Sequence, residues 1–268
     1  MSIVYGDGDA ESTATPSKSE LLNQELLSII NDLMQQDEDC QLPCFWGFAS
    51  GKSSLTEIKD FWTTTIRLPI ETTPSEDDIT FASFWANFVP RNAYTDISFS
   101  MTFKDNILWL FEVSTFNTSI WLKDDWLSLQ NVLSELPDSN QFFVGVSGGH
   151  VLLVLINQQA NIMIQKSYKL HTDTNIISPN SFEPLLLCPT SDNLFDTSLW
   201  LLDKEVPISI EQILGNPIIL GNELALYQPI EFMTNQNSDE FSDLIQDNPE
   251  ACLDLLSYAE LIELGYGF

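Results

Sequence analysis

The side chains of this 268-residue chain that have chemistry to offer are four cysteines (Cys40, Cys44, Cys188 and Cys252), two histidines (His150 and His171) and carboxylate runs at Asp37-Glu38-Asp39, Glu76-Asp77-Asp78 and Asp124-Asp125. An even cysteine count admits disulfides. Three pairings of four cysteines stay open, one of which ties the acidic C-terminal region through Cys252 to the strand carrying Cys188. Zinc would need a second tight Cys or His pair beside Cys40 and Cys44, and none follows. A Cys188/His171 nucleophile pair would need an exposed thiol, whereas Leu185-Leu186-Leu187-Cys188 reads as a buried strand. The carboxylate runs lack the alternating ligands and glycine of a calcium loop, and read as solvated turns. Gly47-Phe-Ala-Ser-Gly51-Lys52-Ser53 places three residues between its glycines where a phosphate-binding loop needs four, so it reads as a turn entering a capped helix. No Gly-x-Ser-x-Gly or His-Glu-x-x-His spacing occurs. The expectation is a protein without catalytic residues, bound metal or cofactor.

Charge narrows the partners. The net charge of -29 comes mainly from depletion of cations, with 10 Lys+Arg against 39 Asp+Glu. The last basic residue is Lys204, and twelve acidic side chains lie between Glu205 and Glu263. Nucleic acid requires a Lys/Arg footprint on its phosphates, and anionic membranes require the same, so neither is expected as a partner. At 44% hydrophobic the chain can bury a large core. No apolar stretch reads as a membrane span, and residues 1–17 lack the basic and apolar regions of a signal peptide.

The elements that must position these groups are legible in outline. Residues 1–17 read as a flexible lead-in, and Ser17-Lys-Ser-Glu20 as a capping box opening a helix to about Gln36. A second helix starts at Ser53 or Ser54 and runs through Leu55, Ile58, Phe61 and Trp62. Residues 72–78 read as a polar turn, followed by half-buried antiparallel strands at 79–88, 96–103 and 107–113. A helix at 127–136 precedes a three-stranded meander at 142–146, 151–156 and 161–168, and buried strands are expected at 183–188 and 198–202. Helices are expected at 238–245 and at 249–264, the latter with Pro249 in its first turn and Gly265 as its stop. Ser54-Leu55-Thr-Glu-Ile58 and Ser128-Leu129-Gln-Asn-Val132 begin alike, and a shortened third copy is suggested at Ser209-Ile210-Glu-Gln-Ile213. The fold class expected is α+β, with a first helix/antiparallel-sheet module at 18–120, a second at 121–204 and an acidic, partly helical extension at 205–268.

Leu42-Pro43-Cys44-Phe45-Trp46-Gly47-Phe48-Ala49-Ser50-Gly51-Lys52-Ser53 resembles the Leu-Pro-Cys-Trp-Trp-Gly-Ile-x-Pro-Gly-x-Thr pattern of a family of uncharacterised bacterial envelope proteins. Phe45 stands for the first Trp and Ser50 for the Pro; the later helix-plus-meander and Cys252 also look like that family. The Gly51-x-Ser turn with Glu57-Ile58 is similar to the helix entry of small outer-membrane assembly lipoproteins and of the tandem β-lactamase-inhibitor-protein fold. The resemblance implies helices packed on an antiparallel sheet, sometimes in tandem, whose exposed face binds a protein. It implies a structural role for Trp46, Gly47 and Gly51.

Composition and resemblance together lead to a non-enzymatic envelope or extracellular binding protein, engaging a protein or cell-wall partner through its sheet faces. Trp121 and Trp126, flanking Lys-Asp-Asp, are candidate contacts. The alternatives are a cytoplasmic location, an acidic decoy that mimics nucleic acid to bind basic proteins, and a hydrolase using the carboxylate clusters.

Overall fold

The computed structural model describes residues 25, 28–29, 42, 44–67, 70–74, 79–88, 95–116, 128–147, 150–169, 184–189, 194–205, 227–249 and 251–263. Within them the chain is mixed α+β and mostly strand. Helix α1 (Leu55–Phe61) begins at Ser54, which with Glu57 forms a reciprocal capping box, and it continues as a π-helical turn over Trp62–Ile66 where an ordinary α-helix was expected. Strands β1 (Glu71–Pro74), β2 (Ile79–Phe88), β3 (Thr95–Lys104) and β4 (Ile107–Phe116) follow. Helix α2 (Leu129–Glu135), capped by Ser128, precedes β5 (Asn140–Ser147), β6 (His150–Asn157), β7 (Ile162–Lys169), β8 (Pro184–Leu187) and β9 (Leu194–Leu202). Then come β10 (Gln228–Pro229), α3 (Ile230–Met233), α4 (Ser238–Asp247), β11 (Leu253–Ser257) and α5 (Tyr258–Glu263).

Nine strands form one antiparallel sheet in the order β1-β2-β3-β4-β9-β7-β6-β5-β10, while β8 and β11 pair separately. β1 to β4 run in chain order inward from one edge, β5, β6, β7 and β9 run inward from beside β10 at the other, and β4 and β9 meet in the middle; a Ser-capped helix precedes each run. Tight chemistry sets the turns. Asp105 and Asn106, both at positive φ, make the two-residue connection that the twist of β3 and β4 favours. Asn157, fully buried, donates to Pro137 O and Asn140 Oδ1 (both 2.8 Å) and accepts from Ala160 N–H (2.9 Å), fixing the β6–β7 turn to the end of α2. Both sheet edges carry proline, Pro74 in four-residue β1 and Pro229 in two-residue β10. A residue without an N–H gives a further strand one hydrogen bond fewer.

Three expectations are corrected. Residues 71–74 pair with Thr80 to Ser83 as a strand instead of starting a polar turn. The helix expected over 249–264 is β11 plus the short α5, because Leu253, Leu255 and Ser257 alternate inward and meet Leu187, Leu185 and Pro184 of β8. In β8 itself Leu186 is 40% exposed and Cys188 half-buried, so that segment is an alternating strand with one wet face. The helix expected over 18–36 lies almost wholly outside the described residues, and the third repeat entirely so.

One face of the sheet holds the main core. Phe99, Met101, Phe111, Val113, Leu199, Leu201, Ile162, Ile164, Leu153 and Leu155 pack under α1, α2, α3, α4 and the β8–β11 pair, which contribute Ile58, Trp62, Val132, Met233, Phe241 and Leu255. The core face is interrupted at one row by Thr115, Thr197 and a fully buried Lys166, where Thr115 Oγ1 donates to Thr197 O across the β4–β9 seam (3.2 Å). Among the described residues no helix is long and apolar enough to cross a membrane, which says nothing of β-barrels.

Candidate functional site

The Cys44 to Ser53 segment, the most distinctive in the sequence, folds into tight turns. Phe45 and Phe48 exchange N–H···O bonds of 2.8 and 2.9 Å around Trp46 (φ 55°) and Gly47 (φ 79°), a turn needing two left-handed residues. Glycine takes that conformation freely; tryptophan does not, at a cost on the order of 1 kcal/mol. Trp46 is held there by aromatic packing: its ring lies 4.7 Å from Phe99, 5.3 Å from Phe45 and 6.0 Å from Trp62, centroid to centroid. Gly51 (φ 76°) is constrained differently, since a Cβ there would stand 2.7 Å from Asp203 Oδ2. Its N–H donates to Leu108 O (2.7 Å), Ser50 Oγ to Leu201 O (2.9 Å), and Asp203 N–H to Trp109 O (2.9 Å). The turn thus clamps the ends of β4 and β9.

Cys188 and Cys252 form a disulfide, and Cys44 is also disulfide-bonded; Cys40 lies outside the described residues. Cys188 is therefore no free nucleophile. Trp121, Trp126, His171 and the three carboxylate runs at 37–39, 76–78 and 124–125 also lie outside the described residues, and nothing is assigned to them. His150 sits at the start of β6, its Nδ1 3.5 Å from Ser167 Oγ.

Register, rather than motif, brings polar groups together, on the sheet face opposite the main core. One row across the strands reads Glu71, Ser83, Ser100, Glu112, Trp200, Met163, Ile156. The next reads Ser98, Ser114, Ser198, Gln165, Val154, Phe143. The two halves of this face differ in kind. On β5, β6, β7 and β9, Phe143, Val154, Ile156, Met163 and Trp200 are buried in a second apolar cluster, with Leu110, Leu202 and Tyr227 packed against it. On β1 and β2 the same face carries exposed Glu71, Thr73, Ser83 and Phe81, the last 47% exposed, while on β3 Ser98 and Ser100 are half-buried and Thr102 is buried.

Between the halves a connected set of side chains spans the seam. Ser114 Oγ donates to Glu112 Oε1 (3.2 Å) and lies 2.9 Å from Ser198 Oγ across the seam. The Trp200 indole also donates to Glu112. Burial pushes the Glu112 carboxyl above the usual carboxylate range, outweighing the lowering effect of those two donors. Next along, the Tyr227 hydroxyl donates to Gln165 Oε1 (3.3 Å), and burial pushes its pKa up as well. Two titratable groups, both perturbed by desolvation, thus stand along one polar strip. The strip can accept hydrogen bonds and positive charge. Among the described residues no three of His, Cys, Asp and Glu gather as a metal site would require.

Sequence reasoning missed Glu112, Ser114, Ser198, Trp200 and Phe81. Ser98-Phe99-Ser100-Met101-Thr102 does announce a face of small hydroxyls by its alternation. Nothing local to Glu112 says that Trp200 of β9, distant in sequence, pairs beside it. Comparison with protein-family models, with curated proteins and with solved structures finds no match.

Proposed function

We propose that this protein is a non-enzymatic, extracytoplasmic binding module that engages another protein through the open half of its second sheet face. The observation that carries the reading is the contrast on that face: on one half a buried apolar cluster with Leu110, Leu202 and Tyr227 packed against it, and on β1 and β2 an open half where Thr73 and Ser83 flank exposed Phe81. Small hydroxyls with one exposed aromatic supply directional contacts and an apolar anchor, as partner-binding surfaces do. The Cys188–Cys252 bridge and the bonded Cys44 support an oxidising compartment. The two inward-running series of strands, each led by a Ser-capped helix, support reading the two halves as related modules joined at β4 and β9.

Site-specific photo-crosslinking in the source cells tests it, with the photoreactive side chain placed at Phe81, at Ser83 and, as a control on the opposite layer, at Asp247. The expected result is one protein adduct shared by Phe81 and Ser83 and missing at Asp247, whose partner binds the purified protein saturably. Identical adducts at all three positions, or none, would sink the reading.

A further inference from the structure

Resting on that reading of the open face, we infer that the row Glu71, Ser83, Ser100, Glu112 is a docking strip for a Lys- or Arg-bearing segment of the partner protein, with Glu112 receiving the cation. The two carboxylates end a row of four strands, so they stand on the order of 14 Å apart with only serines between them. Those serines carry nothing taller than a hydroxyl, and Ser83 is exposed, so the strip is approachable from the β2 side. Phe81, one row away opposite Thr102, offers an apolar contact beside it.

The charge argument is specific to Glu112. Its two hydrogen-bond donors, Ser114 and Trp200, are neutral. Four of the described cations are placed elsewhere. Lys166 lies on the core face and Lys104 stands over the Trp109 ring at 5.7 Å. Lys59 reaches Thr72 on the helix side (3.5 Å) and Arg67 pairs with Glu25 (3.0 Å). Among the described residues half-buried Glu112 is served by neutral donors, and such a carboxylate has lost water without gaining a counter-charge. An arriving guanidinium or ammonium supplies it through a charge-assisted hydrogen bond, and the adjacent Ser100 hydroxyl accepts a further hydrogen bond from that cation. In a protein carrying -29, complementarity also favours a basic partner, but the acidic C-terminal helices offer only diffuse attraction.

The probe is the peptide acetyl-Ala-Leu-Arg-Leu-Ala-amide, with its citrulline analogue as the uncharged control, titrated into isotope-labelled full-length protein and read by amide NMR. The expected result is saturable shifts at Ser83, Ser100, Glu112 and Ser114, lost with citrulline and weakened roughly tenfold or more in Glu112→Gln. That variant keeps an oxygen for Ser114 and Trp200, and its spectrum checks its fold. Shifts confined to α4, equal binding to Glu112→Gln, or no saturation by about 10 mM peptide would overturn the strip. The crosslink separates the two failures: a Phe81 adduct that survives undiminished in Glu112→Gln leaves the open face standing and overturns only the strip, whereas no Phe81 adduct in either protein removes the face itself.

Discussion

At Glu112 a single carboxyl is asked to do something its surroundings discourage. Desolvation favours the neutral acid, and the donors Ser114 and Trp200 only partly offset it. Because the folded-state pKa is raised, the folded protein binds more protons than the unfolded chain between the two pKa values. The stability from this group is fully present below the unfolded value of 4.5 and is lost as pH rises through the folded value. Glu112→Gln, which stays neutral, is therefore expected to raise the melting temperature at pH 7 and to leave it unchanged near pH 4. Paired thermal melts across that range check this; a variant equally or less stable than the parent at pH 7 would contradict it. Ser100, Ser114, Ser198 and Trp200, which face Glu112 from β3, β4 and β9, are all uncharged, so no described neighbour titrates with it. The sequence gives little warning of this residue, because a lone Glu in an alternating strand reads as solvated. Trp46 is the opposite case: the Trp-Gly pair was readable as a turn, and only the tryptophan's positive φ was hidden.

Elements were more legible than residues where pattern and length agreed. The meander of β5, β6 and β7 was written in apolar runs separated by Gly-Gly and Asn-Gln-Gln, and α1 and α2 in their Ser caps. Where an apolar run was short the period misled: Leu253, Leu255, Leu256 and Leu261 fit a helix as well as a strand, and pairing with β8 decided the matter. That pairing is closed by Cys188–Cys252 across 64 residues. In the loop-entropy description such a bridge contributes roughly 4 kcal/mol, most of it by restricting the unfolded chain. The double variant Cys188→Ser/Cys252→Ser should lose about that much in denaturant melts, with hydrogen exchange at Leu185, Leu187, Leu253 and Leu255 accelerating first. Unchanged exchange there would mean that β11 and β8 hold each other without the bond.

For the whole molecule, the continuous sheet decides how stability is shared. The pairing of β4 with β9 from Leu110–Leu202 to Phe116–Asp196 makes one hydrogen-bonded body of the two halves, reinforced by the Gly51 turn on one end and by Ser114, Ser198, Thr115 and Thr197 on the seam. Trp46→Ala, which empties an aromatic cluster entirely on the β1–β4 side, is expected to cost about 3–5 kcal/mol. If the halves unfold as one, amide exchange in β6, at Val154 and Leu155, speeds up by the same free energy as at Phe99 and Phe111. Protection retained in β6 but lost in β3 would show two independent units. Sequence could announce both meanders, but not that their last strands meet, since no local pattern records which strand lies beside which.

The bridge between Cys188 and Cys252 has a further consequence for the life of the chain in a protease-rich setting. A cut anywhere between Pro189 and Ala251 opens the backbone yet releases nothing, because both fragments remain covalently joined. Lys204, a residue at which a trypsin-like enzyme can act, lies inside that span. A nick there makes a two-chain protein of unchanged composition, with β10, α3 and α4 still leashed to the sheet they pack on.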